Sequence, residues 1–312
     1  MRPTEIERIA SALGSAVVST RRLAGGFSHE TSLVTLADGQ VVARLGGSDP
    51  AIEAAVMAAA HAHVPVPEVL LVMPSADGAR KGMVLEHVAG TPLSDVLAED
   101  EFGVAALGDL GTEVGQAIGR IASVEFDRPG FFADERLTVR AEVPWSRQLP
   151  EFAASCIGPA AETRLDSATL GAWLDLCTAH APALARIDDQ ARLVHADVNP
   201  KNILVSRAPG GWRVDSVLDW EFSFSGCPYS DAANMARFGD TYPAGFLSGF
   251  LTSFAASQPP GCRAPEDWLW LGRVMDMFAL SDLITRPAGH AVADQAAERI
   301  RRLVAEGGPA GQ

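Results

Sequence analysis

The most constraining feature of this chain is a polar loop set between apolar runs in its C-terminal half. The loop occupies residues 195–202 (HADVNPKN), with LV before it and ILV after it. The glycines at 210–211 favour a turn into a third apolar run, which ends at Asp219. The pattern predicts strand ends that bring two carboxylates and an amide together, those of Asp197, Asp219 and Asn202.

These three side chains are the set that phosphoryl transfer from ATP requires. One carboxylate orients or deprotonates the attacking hydroxyl, while an amide oxygen and a second carboxylate hold Mg²⁺ against the phosphates. Asp197 fits the first role, and Asn202 and Asp219 fit the second. The spacing resembles the catalytic loop and metal-binding Asp of the protein-kinase-like superfamily. The alternative, in which the three residues only cap a turn and end a strand, does not explain why they occur together.

His195 precedes the expected base by two positions. In the superfamily that the loop resembles, this position holds the loop through hydrogen bonds, and we expect the same support role here. The rival interpretation makes His195 and Asp197 metal ligands or parts of a Ser–His–Asp triad. The chain has no G-x-S-x-G sequence and no second histidine motif to support it.

A loop near the N-terminus is the expected phosphate cradle. Residues 24–30 (AGGFSHE) lie between two predicted strands, and glycine allows backbone N–H groups to approach phosphates closely. The expected nucleotide-binding residues here are Gly25, Gly26 and Ser28. A Gly-Gly pair is also common in ordinary hairpin loops, so the loop alone does not decide the function.

The next strand and helix supply a cation and an acid. Arg44 is the one cation in the apolar run 41–45, and Asp49 and Pro50 predict the start of a helix that extends to about residue 63. Glu53 lies on that helix, and we expect it to form an ion pair with Arg44 that positions the α- and β-phosphates. The alternative is an edge-strand arginine in solvent.

The chain changes character near residue 90. Strands predominate before it and helices after it, so we expect an N-lobe over 1–90 that binds nucleotide. The C-lobe, 91–312, would hold the catalytic loop, the metal site and the acceptor site. In a kinase-like fold the connecting segment binds adenine through its backbone, which points to the Glu86 carbonyl oxygen and the Val88 N–H; a plain linker is the alternative.

Helical patterning in the second part predicts several helices. One begins at 91–92, a second covers 107–121, and others lie within 168–185 and 265–305. The second helix carries a glycine at every third or fourth position, which predicts close packing against another helix; these glycines are Gly108, Gly111, Gly115 and Gly119.

Charge and composition narrow the class of partner. The 312 residues carry a formal net charge of −14, and 48 charged side chains in 91–312 account for −12 of it. Such a surface repels nucleic acid and anionic membranes and favours a small cationic molecule. Four scattered cysteines, no long apolar run and an acidic N-terminus fit a cytoplasmic protein.

Three acids are the expected acceptor ligands. Glu221 lies two residues beyond Asp219, while Asp276 and Asp282 each interrupt an apolar run in the predicted helix 265–286. A charge at such a position needs a partner, and an ammonium group of the acceptor could provide it.

Taken in order, these motifs resemble the aminoglycoside phosphotransferase and choline-kinase-like family from about residue 20 to 286. The resemblance rests on Gly25-Gly26, Arg44, Glu53, Pro65-Val66-Pro67, residues 86–93 and 195–205, Asp219-Trp220-Glu221 and Asp231. It implies a two-lobed protein-kinase-like α+β fold, Asp197 as catalytic base, Asn202 and Asp219 on Mg²⁺, and Asp231 bracing the loop. Arg44 would replace the lysine of protein kinases.

The departures from related families concern the acceptor. Asn199 stands where protein kinases have lysine, and no activation segment follows, so a protein substrate is not expected. Ala196, Asn199 and His29 replace the Gly, His and Asn that antibiotic kinases commonly show. General similarity extends to kinases of cyclic-peptide antibiotics such as capreomycin and viomycin.

The sequence therefore predicts transfer of phosphate from ATP, with GTP not excluded and with Mg²⁺, to a hydroxyl of a small cationic antibiotic. The same motifs would serve a kinase of choline, homoserine or a sugar. A catalytically silent ATP-binding regulator is a third hypothesis, although the presence of all five expected polar residues disfavours it.

Overall fold

The structure is a computed structural model that describes residues 1–23, 29–76, 78–99, 101–262 and 265–309. A β-rich N-terminal part is followed by a mainly helical C-terminal part, so the expected α+β organisation is confirmed. The expected phosphate-cradle residues Gly25, Gly26 and Ser28 lie outside the described residues.

The N-terminal part is built on a five-stranded antiparallel sheet with the order β1-β2-β3-β5-β4. Its strands are β1 (Val17–Arg22), β2 (His29–Leu36), β3 (Gln40–Gly46), β4 (Val69–Met73) and β5 (Gly82–Glu86). Helix α1 (Pro3–Leu13), which the sequence analysis did not predict, buries Ile9 in the same apolar cluster as Val34 and Val84 of the sheet.

Helix α2 (Pro50–Ala60) follows β3, and its predicted start is confirmed. The Asp49 side chain accepts a hydrogen bond from the Ala51 N–H at 3.0 Å, and Pro50 occupies the first turn. The helix ends a few residues before the expected position near residue 63. Its buried side includes Glu53, which brings that carboxylate under the sheet.

The connection between the two parts corrects one prediction. Thr91–Pro92 does not begin a helix: it forms strand β6, which pairs with β8 (Ile203–Ala208), and α3 (Leu93–Ala98) begins directly after it. Cross-strand pairing holds these residues extended. A Cβ atom on Gly90 would lie 3.0 Å from the Leu204 Cβ, so a larger residue here would have to push the neighbouring strand away.

Two further small sheets frame the functional loops. Strand β8 also pairs with β9 (Gly211–Val217), and β7 (Arg192–Val194) pairs with β10 (Phe224–Gly226). The remaining α-helices are α4 (Val104–Ile121), α5 (Trp145–Ser155), α6 (Pro159–Glu162), α7 (Ser167–His180), α8 (Tyr229–Ala236), α9 (Phe246–Ala256), α10 (Trp268–Leu283) and α11 (Ala291–Glu306). Short 3₁₀ turns lie at Ala181–Arg186, Pro200–Asn202, Gly239–Thr241 and Pro260–Cys262.

The glycine stripe of α4 packs against α9, as the sequence predicts. A Cβ atom at Gly119 would lie 2.9 Å from the Phe254 carbonyl oxygen, and one at Gly115 would come closer still to that of Phe250. The two backbones therefore touch where side chains would hold them apart. Of the helices in the described ranges, none is long and apolar enough to cross a membrane.

Candidate active site

The loop after β7 is held by one buried carboxylate. Asp231, in the first turn of α8, accepts hydrogen bonds from the backbone N–H of His195 at 3.0 Å and of Ala196 at 2.8 Å. Ala196 has φ 69°, a left-handed conformation that is uncommon for a residue other than glycine. Burial raises the pKa of Asp231 to about 7, although the two N–H donors oppose this shift. Asp231 thus lies where the family resemblance expects a loop brace.

His195 is engaged at both ring nitrogens. Its Nδ1 accepts from the Asp197 N–H at 3.2 Å, so Nε2 carries the proton and donates to the Leu218 carbonyl oxygen at 2.9 Å. Burial lowers the pKa of His195 to about 4, which keeps the ring neutral. The ring also packs on Trp220, with centroids 4.5 Å apart. This geometry fits a residue that positions the loop and leaves proton transfer to another group.

The Asp197 carboxylate is fixed by two amides. Asn199 Nδ2 donates to Oδ1 at 3.0 Å, and Asn202 Nδ2 donates to Oδ2 at 2.9 Å; each also bonds the Asp197 carbonyl oxygen. Burial and the negative charge of Asp219 raise the pKa of Asp197 to about 6. At neutral pH the group is ionised yet close to its pKa, as a general base should be. The sequence analysis recognised Asn199 only as a departure from related families and missed this orienting contact.

A buried ion pair lies close to the base and corrects one acceptor prediction. The Asp276 carboxylate accepts from Arg237 Nε at 2.9 Å and Nη2 at 2.5 Å, and from Asn234 Nδ2 at 2.9 Å. The partner that this buried charge requires is therefore inside the chain, and the argument for an acceptor ammonium at Asp276 fails. The positive charge of Arg237 also lowers the pKa of Asp197 and opposes the shift to higher pH.

The expected pair of Arg44 and Glu53 forms beneath the sheet. One guanidinium nitrogen of Arg44 donates to Glu53, and the other donates to Asp219 from the second lobe. Arg44 and Glu53 are both buried, which excludes a solvent-facing arginine. Burial raises the pKa of Glu53, while the charge of Arg44 and a hydrogen bond from the Trp220 N–H oppose that shift.

Asp219 lies within a group of possible metal ligands. Ligand atoms of His29, Asp219 and Glu221 all fall within 4.8 Å of one another, and His29 Nδ1 is 3.2 Å from Arg44 and 3.5 Å from a Glu221 oxygen. Burial and the charge of Arg44 lower the pKa of His29 to about 4. Glu221, expected at the acceptor site, thus lies with the metal-binding candidates.

The donor set fits a hard cation such as Mg²⁺. Asp219 and Glu221 offer carboxylate oxygens, which Mg²⁺ prefers. Asn202 uses its amide nitrogen on Asp197, which leaves the amide oxygen as its remaining ligand atom. These residues lie beside the base, where a metal could meet the phosphate of a nucleotide.

A comparison of the sequence with known families decides the class of protein. The family described as phosphotransferase enzymes matches residues 19–266, which is most of the chain. The chain belongs to the phosphotransferase enzyme family. Among curated protein sequences, none matches it.

Solved structures show that this phosphotransferase has the kinase-like fold expected from its sequence. The aminoglycoside phosphotransferase APH(4)-Ia with ADP and hygromycin B is 18% identical, with a TM-score of 0.69 and coverage of 97% of this chain and 98% of its own. The spectinomycin phosphotransferase APH(9)-Ia with ADP and spectinomycin is 11% identical, with a TM-score of 0.61 and coverage of 97% of this chain and 95% of its own. A GDP complex of an aminoglycoside 2′-phosphotransferase is 16% identical, with a TM-score of 0.65 and coverage of 97% of this chain and 95% of its own.

The connecting segment of the phosphotransferase presents backbone groups at the end of β5. The Glu86 N–H donates to the Glu68 carbonyl oxygen at 2.9 Å, and the Glu86 side chain accepts from the Glu68 N–H at 3.1 Å. The Val88 N–H has no backbone partner within the described ranges. The Val88 N–H, the expected donor to adenine, is therefore not committed to another backbone group among the described residues.

Asp282, the third expected acceptor ligand, lies on the surface at the end of α10. Its side chain is 47% exposed and accepts a hydrogen bond from Arg286, one turn away, at 2.7 Å. An exposed pair of this kind contributes little stability and can exchange partners. Asp282 therefore remains an acceptor candidate, unlike Asp276.

Proposed function

We propose that this phosphotransferase moves the γ-phosphoryl group of ATP to a hydroxyl of a small-molecule antibiotic. The observation that carries the proposal is Asp197, an ionised carboxylate that two amides aim beside Asp219. The hydroxyl oxygen forms a bond to the γ-phosphorus as the bond to the bridging oxygen of ADP breaks. Asp197 orients the hydroxyl and receives its proton.

The N-lobe, 1–90, is proposed to hold the nucleotide. Arg44 is the cation that contacts the phosphates while Glu53 keeps it in place. The backbone at Glu86 and Val88 receives the adenine edge. From the sequence, we expect Gly25, Gly26 and Ser28 to complete the phosphate cradle.

The C-lobe, 91–312, is proposed to supply the metal ligands and the acceptor site. Asn202 and Asp219 would hold Mg²⁺, with Glu221 beside them. The ion would neutralise phosphate charge and so favour transfer. His195 and Asp231 keep the loop in the geometry that places Asp197. ATP and Mg²⁺ are abundant in the cytoplasm, where we place the reaction.

The proposed acceptor is a cationic antibiotic. Structures similar to this chain contain hygromycin B and spectinomycin, and the net charge of −14 attracts cations. A similar structure contains GDP, so GTP is a second candidate donor.

An acceptor panel tests the proposal. The enzyme is incubated with ATP or GTP, with Mg²⁺ or with a chelator, and with hygromycin B, spectinomycin, capreomycin, erythromycin, choline, homoserine or glucose. Mass spectrometry should find one added phosphoryl group on an antibiotic, only with Mg²⁺. Phosphorylation of choline, homoserine or glucose with no antibiotic product would overturn the antibiotic assignment. Absence of any product, with nucleotide shown to bind, would overturn the enzymatic role.

A further inference from the structure

Five aromatic side chains from four segments form one cluster in the C-lobe, here called the aromatic wall. Trp145 lies at its centre, with ring centroids 5.8 Å from Phe131, 5.3 Å from Phe224 and 6.0 Å from Phe278. Phe152, on α5 with Trp145, extends it at 5.3 Å from Phe278. Three of these residues lie within 126–165, where prolines and charges break any regular pattern, so sequence patterning carries no signal for the cluster.

The aromatic wall lies directly beside the catalytic loop. Phe224 opens β10 and pairs with Val194, the residue before His195. The Ser223 hydroxyl donates to the His195 carbonyl oxygen at 3.4 Å. On the other side of β10, the Gly130 N–H donates to the Ser225 carbonyl oxygen at 2.8 Å, which brings Phe131 to the same place. The strand that carries Phe224 is therefore bonded to the strand that leads into the catalytic loop.

Two members of the wall are open to solvent. Phe131 is 46% exposed and Phe152 is 36% exposed, although Trp145 between them is only 5% exposed. Exposed aromatic side chains near a catalytic loop are typical of a ligand-binding surface.

Trp145 adds a second, independent indication of a ligand. Its indole nitrogen is buried and has no hydrogen-bond partner among the described residues. A buried donor without an acceptor is costly, and native proteins rarely keep one without a reason. The half-exposed Phe131 ring packs edge-on against Trp145, so the buried donor belongs to a ring that contacts an exposed member of the wall.

The three acids expected to bind the acceptor differ in whether their carboxylates are already engaged within the protein. Asp276 is committed to Arg237, and Glu221 lies with His29 and Asp219. Asp282 lies at the edge of the wall, one helical turn beyond Phe278, and its charge reaches Cys156, one turn beyond Phe152. Asp282 therefore offers a ligand on the wall an exposed carboxylate at its margin.

We propose that the aromatic wall is the acceptor-binding surface and that it selects an amphiphilic acceptor. The acceptor carries an apolar face that covers Phe131 and Phe152, an oxygen that accepts from the Trp145 indole, and a cationic group near Asp282. This inference rests on the proposed phosphotransferase function. On this inference the acceptor is recognised mainly by apolar contact. Recognition of a polycation would instead require several carboxylates.

The test compares two hydroxylated antibiotics that differ in this respect. Erythromycin presents a large apolar lactone face and one amine, whereas hygromycin B is polar over its whole surface. Binding is measured by calorimetry with the full chain, and turnover by product formation. We expect erythromycin to bind more tightly, with a negative heat-capacity change and little dependence on salt.

Variants locate the binding surface. Phe131→Ala and Phe152→Ala should each weaken erythromycin binding about tenfold, since each removes an apolar contact, and should leave ATP binding unchanged. Trp145→Phe keeps an aromatic ring and removes the N–H, so it should weaken erythromycin binding more than its modest cost in melting temperature explains, and ATP binding should be unchanged. Val18→Ala, at an exposed apolar position on β1, is the matched control and should change neither.

The outcomes separate this inference from the proposed function. Turnover of hygromycin B that is insensitive to all three wall variants overturns the wall and leaves the phosphotransferase intact. Erythromycin binding that the wall variants weaken supports the wall; if, in addition, no compound of the acceptor panel is phosphorylated, the enzymatic role fails while the wall stands. Erythromycin binding that is absent, or as strong in the variants as in the unaltered chain, overturns the inference.

Discussion

Arg44 on strand β3 pairs with Asp219, the carboxylate expected to bind Mg²⁺, across the cleft between the two lobes. Glu53 holds the same guanidinium from the other side. In this arrangement the Arg44 guanidinium balances the negative charge of Asp219, which a bound Mg²⁺ would otherwise balance. The two cations compete for one carboxylate, and the phosphates of a nucleotide would relieve that competition by drawing Arg44 to themselves.

Removing the charge of Asp219 should therefore separate metal binding from nucleotide binding. We expect Asp219→Asn to abolish the gain in ATP affinity that Mg²⁺ provides, since phosphate charge is left unneutralised. Calorimetric titration of ATP with and without Mg²⁺ measures this gain. The control is Asp267→Asn, at an exposed acid paired with Arg186. A full Mg²⁺-dependent gain in the Asp219 variant would refute the metal assignment.

The sequence could predict the parts of the site that lie close together along the chain or have a fixed order. The loop 195–202 and Asp219 flank short apolar strands, so their convergence follows from strand pairing. The ion pair of Arg44 and Glu53 could be expected from a strand followed directly by a helix. Both predictions depend on local spacing, which periodicity reveals.

The pairing of Asp276 could not be predicted in this way, because its partner comes from a distant element. Asp276 interrupts an apolar helix in sequence, yet Arg237 of another segment neutralises it in the fold. An unpaired charge and an internally paired charge look the same in one sequence. The role of Thr91–Pro92 was missed for a related reason, since its pairing with β8 joins residues more than a hundred positions apart.

The ion pair of Arg237 and Asp276 should influence the pH at which the enzyme loses activity. Burial raises the pKa of Asp197 to about 6 and Arg237 opposes that rise, so activity should fall below about pH 6 as the base is protonated. Replacing both partners, as Arg237→Met with Asp276→Leu, removes the opposing charge without leaving a buried ion alone. The acid limb of kcat/KM should then move to higher pH.

Stability measurements provide the control for that experiment. Arg237→Met alone leaves Asp276 buried without its partner, which costs about 3–5 kcal/mol of unfolding free energy. The double variant should recover most of that loss, as measured by chemical denaturation. An acid limb that stays in place in a folded double variant would show that Arg237 has only a structural role.

The glycine stripe of α4 gives a matched pair of stability variants. Gly115→Ala places a methyl group against the Phe250 carbonyl oxygen, so it should destabilise the protein by about 1–3 kcal/mol. At Gly108 the nearest atom to a new Cβ is 3.9 Å away, so Gly108→Ala should be neutral or slightly stabilising, because alanine is the better helix former. Equal effects at the two positions would contradict the close contact with α9.

The most direct test of the account is the loss of transfer in Asp197→Asn. The variant keeps the size of the side chain and removes the group that orients the hydroxyl and takes its proton. With the antibiotic that the unaltered enzyme phosphorylates, kcat should fall by two or more orders of magnitude. The melting temperature and the affinity for ATP with Mg²⁺ should be preserved. A kcat within a fewfold of the unaltered enzyme would contradict the assignment of Asp197 as the base and, with it, the mechanism.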